Sequence, residues 1–215
     1  MKAKELESGN PTRHYVVSID MGSPGQGNFA WCDNGENREG SLDIDKLIPA
    51  LSSQTYFAMG IEAPLFIPLR PDDLKRFTGV RGEIDGNHPW SAGAGAAVTA
   101  IDLAFLGSLL TRIYRTHPEI AVTTDMEEWE KCGNNCILIW ESFISGKDGA
   151  EKSAKSINPH IADAQTALKL FQKQQQRSVS KEHYLNLPLA IAQAVGLKTI
   201  GSSKAMLIVK GEKPC

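Results

Sequence analysis

Residues 14–32, HYVVSIDMGSPGQGNFAWC, decide the fold class. The β-branched and aromatic run from His14 to Ile19 has the composition of a buried strand, and it ends at Asp20. Gly and Pro punctuate residues 21–27, and strand composition resumes at Asn28 to Cys32, so the two runs predict a hairpin with a connection longer than a tight turn. Asp33-Asn34-Gly35 is a turn signal, and Glu39 to Leu42 is expected to add a short third strand.

Outward from this hairpin the pattern alternates. Asp43 to Ser52 (DIDKLIPALS) places Ile44, Leu47, Ile48 and Leu51 at helical spacing, and Thr55 to Ile61 (TYFAMGI) is an apolar strand that hands off to Glu62. Residues 64–90, with four prolines and a mixed-charge stretch, read as a long loop of the kind that is more often functional than decorative. Ser91 opens a Gly/Ala-rich helix whose Val98, Ile101, Leu103, Phe105, Leu106, Leu109 and Ile113 make it the candidate central buried helix. Ile120 to Thr123 suggests a short strand, and Cys136 to Trp140 (CILIW) is a clear one, followed by Glu141. Ser142 to Ser156 reads as a loop, and His160 to Lys173 as a helix with Ile161, Ala164, Leu168 and Phe171 on one face. A Gln-rich patch at 172–177 ends that helix, Asn186 caps a last helix with Pro188 in its first turn, and Ala205 to Val209 is a final strand. This alternation belongs to the α/β class.

The chain has 215 residues, which at about 150 residues per domain favours one domain over residues 14–215, preceded by a polar lead at 1–13. Hydrophobic residues at 41% and charged residues at 22% argue against a disordered or fibrous chain. A formal net charge of -2 provides no global basic field for holding nucleic acid, so such a partner would need a local patch or bridging cations. The start has no apolar run, the longest apolar stretches (94–110 and 187–195) are interrupted, and four cysteines are too few for a disulfide scaffold. These features predict a cytoplasmic chain with free thiols and no membrane span. Cys132 and Cys136 have the spacing of half a zinc site, without a second pair at ligand spacing.

Three strands hand off to carboxylates, at Asp20, Glu62 and Glu141, and Asp163 lies near the start of the following helix. Neighbouring strands lie about 4.8 Å apart, so such groups can converge on one volume, where like charges need a proton or a cation. Hard oxygen donors suit Mg2+ or Mn2+. Taken singly, each acid is more simply a solvated loop residue, a cap or, for Asp163, a dipole-favoured acid at a helix start; the joint pattern carries the metal reading.

The segments SIDMGSPGQGNFAW, MGIEAPLFIPLR, EIDGNHPWSAGAGAAV, LIWESFISG and HIADAQTALKLF together resemble an uncharacterised family of predicted nucleases with an RNase H-like fold, over most of residues 14–175. The resemblance implies an RNase H-like mixed sheet flanked by helices and a two-metal phosphodiesterase site built from Asp20, Glu62 and Asp163, with Glu141 as a further ligand. Two cations about 3.5–4 Å apart would clamp the scissile phosphate of a nucleic acid or small phosphodiester. His160 stands three residues before Asp163, the spacing of one helix face, and is placed to shuttle a proton or orient water. Arg70, Arg76 and Arg81 are candidates for substrate phosphate, with a solvated charged loop as the plainer alternative. No basic face or aromatic series of a nucleic-acid groove is visible; Trp31, Trp90 and Trp140 could stack bases, but Trp31 and Trp140 sit in strands and are expected in the core.

Two other function classes stand beside the nuclease. Asp20-Met21-Gly22-Ser23 resembles the phosphate-contacting turn of the actin, sugar-kinase and heat-shock ATPase superfamily, although a chain of this length lacks the second such domain. A non-catalytic accessory protein would keep the fold and only part of the acidic cluster. The Gly93 and Gly95 pair follows a loop instead of a strand and so lacks the context of a dinucleotide fingerprint, while a helix start at Ser91 could bind an anion.

Overall fold

A computed structural model describes residues 14–76, 78–81, 90–144, 158–173, 176–180 and 183–210. Strand β1 (Tyr15–Asp20) pairs antiparallel with β2 (Ala30–Asp33) and parallel with β3 (Tyr56–Ile61). Next to β3 lies β6 (Cys136–Phe143), also parallel, with β10 (Ala205–Lys210) parallel beside its C-terminal half and β7 (Gln176–Ser180) antiparallel at the far edge. The N-terminal half of β6 instead pairs with β5 (Ala121–Thr123), which continues to β9 (Lys198–Thr199). The order β2-β1-β3-β6-β10-β7 is a mixed sheet of mostly parallel strands, flanked by helices, which is the α/β class the alternation predicts.

Helices cover both faces. On one lie α1 (Ile44–Ser52), α2 (Gly93–Thr116) and α5 (Leu187–Ala194), closing over Val17, Ile19, Phe57, Met59, Ile61, Ile137 and Ile139. On the other lies α4 (Pro159–Gln172), whose Ala164, Ala167, Leu168 and Phe171 pack on Val16, Ala58, Leu138 and Trp140, with Trp129 of α3 (Met126–Cys132) alongside. Each strand therefore divides its side chains between two cores, and odd and even positions belong to opposite faces. Trp31 and Trp140 are buried as expected.

Several local features follow from single residues. Asp43 caps α1 by accepting from the Asp45 amide, and Asn186 caps α5 by accepting from Leu189 with Pro188 in the first turn. Gly60 lies under the Trp140 indole, where an added Cβ would sit 2.1 Å from the ring. Gly60→Ala is expected to lower stability by about 1–3 kcal/mol through overpacking, read by urea unfolding; an unchanged midpoint would mean that the indole moves freely.

Other expectations are corrected. Glu39 to Leu42 forms no strand, only a bridge from Ser41 to Trp31. The 64–90 loop contains β4 (Phe66–Pro68), paired antiparallel with β8 (Tyr184–Asn186). The Gln-rich patch leads into β7, α3 arises from the polar stretch after Thr123, and β9 from a stretch where the sequence predicts no element. Ser142 and Phe143 belong to β6, not to a loop. Gly95–Thr116 of α2 does reach the length and hydropathy of a membrane span, although Leu106, Leu109, Leu110 and Ile113 of that stretch are buried against the sheet. Residues 1–13 and 145–157, covering the polar lead and most of the Gly/Lys/Ser stretch, lie outside the described residues.

Candidate metal centre

Three carboxylates meet at the C-terminal edge of the parallel strands. Asp20 is the last residue of β1, and the Glu62 amide extends the β1–β3 ladder by donating to the Ile19 carbonyl at 2.8 Å. The register Ser18↔Gly60 and Ile19↔Ile61 thus continues one step to bring Asp20 beside Glu62. Both occupy the parity of Val16 and Ala58, which is the α4 face. Asp163 comes from α4, whose start is fixed by Asn158 accepting from the His160 amide at 2.9 Å and by Pro159 in the first turn. One oxygen from each of Asp20, Glu62 and Asp163 lies within 4.8 Å of the others. Asp163 sits in the second helical turn, so the favourable dipole of a first-turn acid does not account for it.

His160 joins the group. Its Nδ1 is 2.7 Å from Asp20 Oδ2, and its side chain is one-third exposed, so it stands between the carboxylate and solvent. The i, i+3 spacing predicts that His160 and Asp163 share a face, and both neighbour Asp20. Burial pushes the Asp20 carboxyl up to about 6; His160 opposes this through its hydrogen bond and charge, and the charge of Asp163 adds to it. Burial likewise raises Asp163, against a lowering by His160. Both carboxyls are therefore harder to ionise here than ordinary carboxylates.

Glu141 is not part of this group, which corrects the expectation that it is a fourth ligand. Strand β6 runs on to Phe143, and the register Ile61↔Glu141 puts Glu141 level with Ile61, on the α2 face. There it forms a fully buried bidentate pair with Arg81, Nη2 to Oε1 at 2.7 Å and Nη1 to Oε2 at 2.8 Å. Glu141 Oε2 also accepts from the Leu65 amide at 2.9 Å, and Arg81 Nη1 donates to the Phe66 carbonyl. The pair fastens the segment that immediately follows Glu62, so Glu141 acts on the site by anchoring its backbone from below.

The phosphate-binding expectation for Arg81 fails for the same reason: its guanidinium is inside the protein. Arg70 donates to the Val80 carbonyl and holds the loop, while Arg76 is exposed beside Asp73. Cys32, Cys132 and Cys136 are free thiols, and Cys132 donates to the Asn134 carbonyl.

Sequence reasoning missed two kinds of residue. Asp102 of α2 is fully buried with both oxygens unpartnered, and Ser18 and Ser142 are buried hydroxyls without partners. A lone Asp in an otherwise apolar helix face is a readable signal. The serines become legible only once strand register is known. No protein-family model, no curated protein and no solved structure matches this chain.

Proposed function

We propose that this chain is a divalent-cation-dependent phosphodiester hydrolase, a nuclease, built on an RNase H-like arrangement. The observation that carries the reading is the convergence of Asp20, Glu62 and Asp163 to within 4.8 Å on one sheet face. The element order supports it: a hairpin whose first strand bears an Asp, a parallel neighbour followed by an acid, and a later helix bearing the third.

The donor set fits a hard cation. All three groups offer oxygen, and burial raises Asp20 and Asp163, a cost of ionisation that a bound cation would offset. Asp20, Glu62 and Asp163 would hold Mg2+ or Mn2+. A cation held there would supply the acidification of a water and charge stabilisation at the leaving oxygen. With Glu141 committed to Arg81, the described residues contribute three carboxylates to the site. His160 orients Asp20 through the Nδ1 contact, and its partly exposed ring can carry a proton between the site and solvent. A cation also answers the electrostatic problem that a chain of net charge -2 meets with a polyanion.

Calorimetric titration with Mg2+ and Mn2+, beside cleavage of single-stranded, duplex and hybrid substrates, tests the proposal and gives the cation stoichiometry. Asp20→Asn is expected to weaken metal binding at least about 100-fold, beyond the 10–100-fold typical of groups that only orient ligands, and to abolish cleavage. Wild type that binds neither cation, even with substrate present, would overturn the reading in favour of a non-catalytic binding protein.

A further inference from the structure

We infer that Ser142 is a fourth polar group of the Asp20–Glu62–Asp163 site, a positioning residue whose hydroxyl hydrogen-bonds the water shell of the bound cation. The inference rests on the proposed metal-dependent reading and goes beyond it by adding a residue that is neither acidic nor a direct ligand. Its basis is register. Gly60 pairs with Trp140 and Ile61 with Glu141, so the next row across the sheet runs Asp20, Glu62, Ser142, followed by Val209 of β10. Ser142 shares the parity of Leu138 and Trp140, and Val209 lies in the same core beneath α4. The Ser142 side chain therefore stands on the carboxylate face, one strand spacing of about 4.8 Å from Glu62.

The second observation is independent of the carboxylates. Ser142 is 1% exposed, and its Oγ has no hydrogen-bond partner. A hydroxyl out of water without a partner is destabilising, and alanine would be the more favourable residue if nothing ever bonded to it. A serine hydroxyl is both donor and acceptor, and it is neutral, so it can hold a cation-bound water without adding charge to three clustered carboxylates. Ser18 supplies the contrast. It too is fully buried and unpartnered on this face, but it lies one row deeper, level with Gly60, where the Trp140 indole fills the space.

The experiment compares Ser142→Ala with Ser18→Ala by thermal unfolding without metal and by Mn2+ calorimetry, using Mn2+ alone as the probe. Both variants are expected to raise the metal-free melting temperature, because each removes an unsatisfied buried hydroxyl. Only Ser142→Ala is expected to weaken Mn2+ binding, by about 3–10-fold, the worth of one hydrogen bond. Ser142→Thr, which restores the hydroxyl, should recover the affinity. Should the alanine variant not fold, Ser142→Cys keeps the size and gives up most of the hydrogen-bonding strength, and the same loss is expected. Mn2+ affinity of Ser142→Ala within twofold of wild type, or a lowered metal-free melting temperature, overturns the inference while leaving the metal site standing. Wild type without Mn2+ binding overturns the metal reading and this inference with it.

Discussion

Glu141→Gln is expected to lower the unfolding free energy by about 3–5 kcal/mol, because it removes the carboxylate charge from a fully buried ion pair while the Arg81 guanidinium stays inside the protein. Glutamine is nearly isosteric, so the loss reports the charge and not a cavity. With its carbonyl oxygen at the Oε2 position the glutamine keeps the Leu65 amide and Arg81 Nη1, but it turns an NH2 donor onto Arg81 Nη2 where Oε1 accepted. Urea unfolding measures the effect, and a double-mutant cycle with Arg81→Met separates the pair from its parts. Removing both charges is expected to recover much of the loss, since buried ion pairs often exchange for apolar groups at little net effect. The same variant discriminates between two roles for Glu141. A metal ligand replaced by its amide would relieve like-charge repulsion, stabilise the metal-free protein and abolish metal binding. An anchor would destabilise the protein and leave Mg2+ or Mn2+ affinity nearly unchanged. A stability change below 1 kcal/mol would refute the anchor.

The misplacement of Glu141 shows where sequence reasoning stops. The run CILIWESF is buried on both faces along almost its whole length, so it carries no period-two alternation to mark which residues face which core. Where the strand ends is then invisible, and a single position of error moves a carboxylate to the opposite side of the sheet. Asp20 and Glu62 escaped this ambiguity because Met21-Gly22 and Ala63-Pro64 punctuate the chain directly after them. Asp163 and His160 were legible through their i, i+3 spacing near the start of a helix marked by its apolar periodicity. The pairing of β4 with β8, by contrast, joins segments far apart in sequence, each of three residues, and nothing local announces it. Strand β7 has the composition QRSVS, polar as edge strands often are, and so read as the fraying end of a helix. The central helix was recognised, but an apolar pattern that includes Leu103, which is exposed, hid the inward turn of Asp102.

Asp102 governs the second large effect, on stability as a function of pH. Its carboxyl is fully buried and has no hydrogen-bond partner at either oxygen. Burial raises it well above the ordinary value of 3.8, and the charge of Glu141 adds to this. With the folded value raised, the native protein binds one more proton than the unfolded chain throughout the interval between 3.8 and that value. The slope of unfolding free energy against pH is then negative. Stability from this group is fully present below 3.8 and is lost as pH rises, by about 1.4 kcal/mol per pH unit until the folded value is passed. Asp20, raised to about 6, and Asp163 contribute slopes of the same sign, but they are common to wild type and variant and cancel in the difference. Asp102→Asn removes the ionisation at constant size. Urea unfolding of both proteins from pH 4 to 8 is expected to show a stability difference that grows in favour of the variant as pH rises towards the folded value. Parallel curves would mean that Asp102 releases its proton as readily inside the protein as outside it, against the cost of ionising a fully buried carboxyl that receives no protein hydrogen bond.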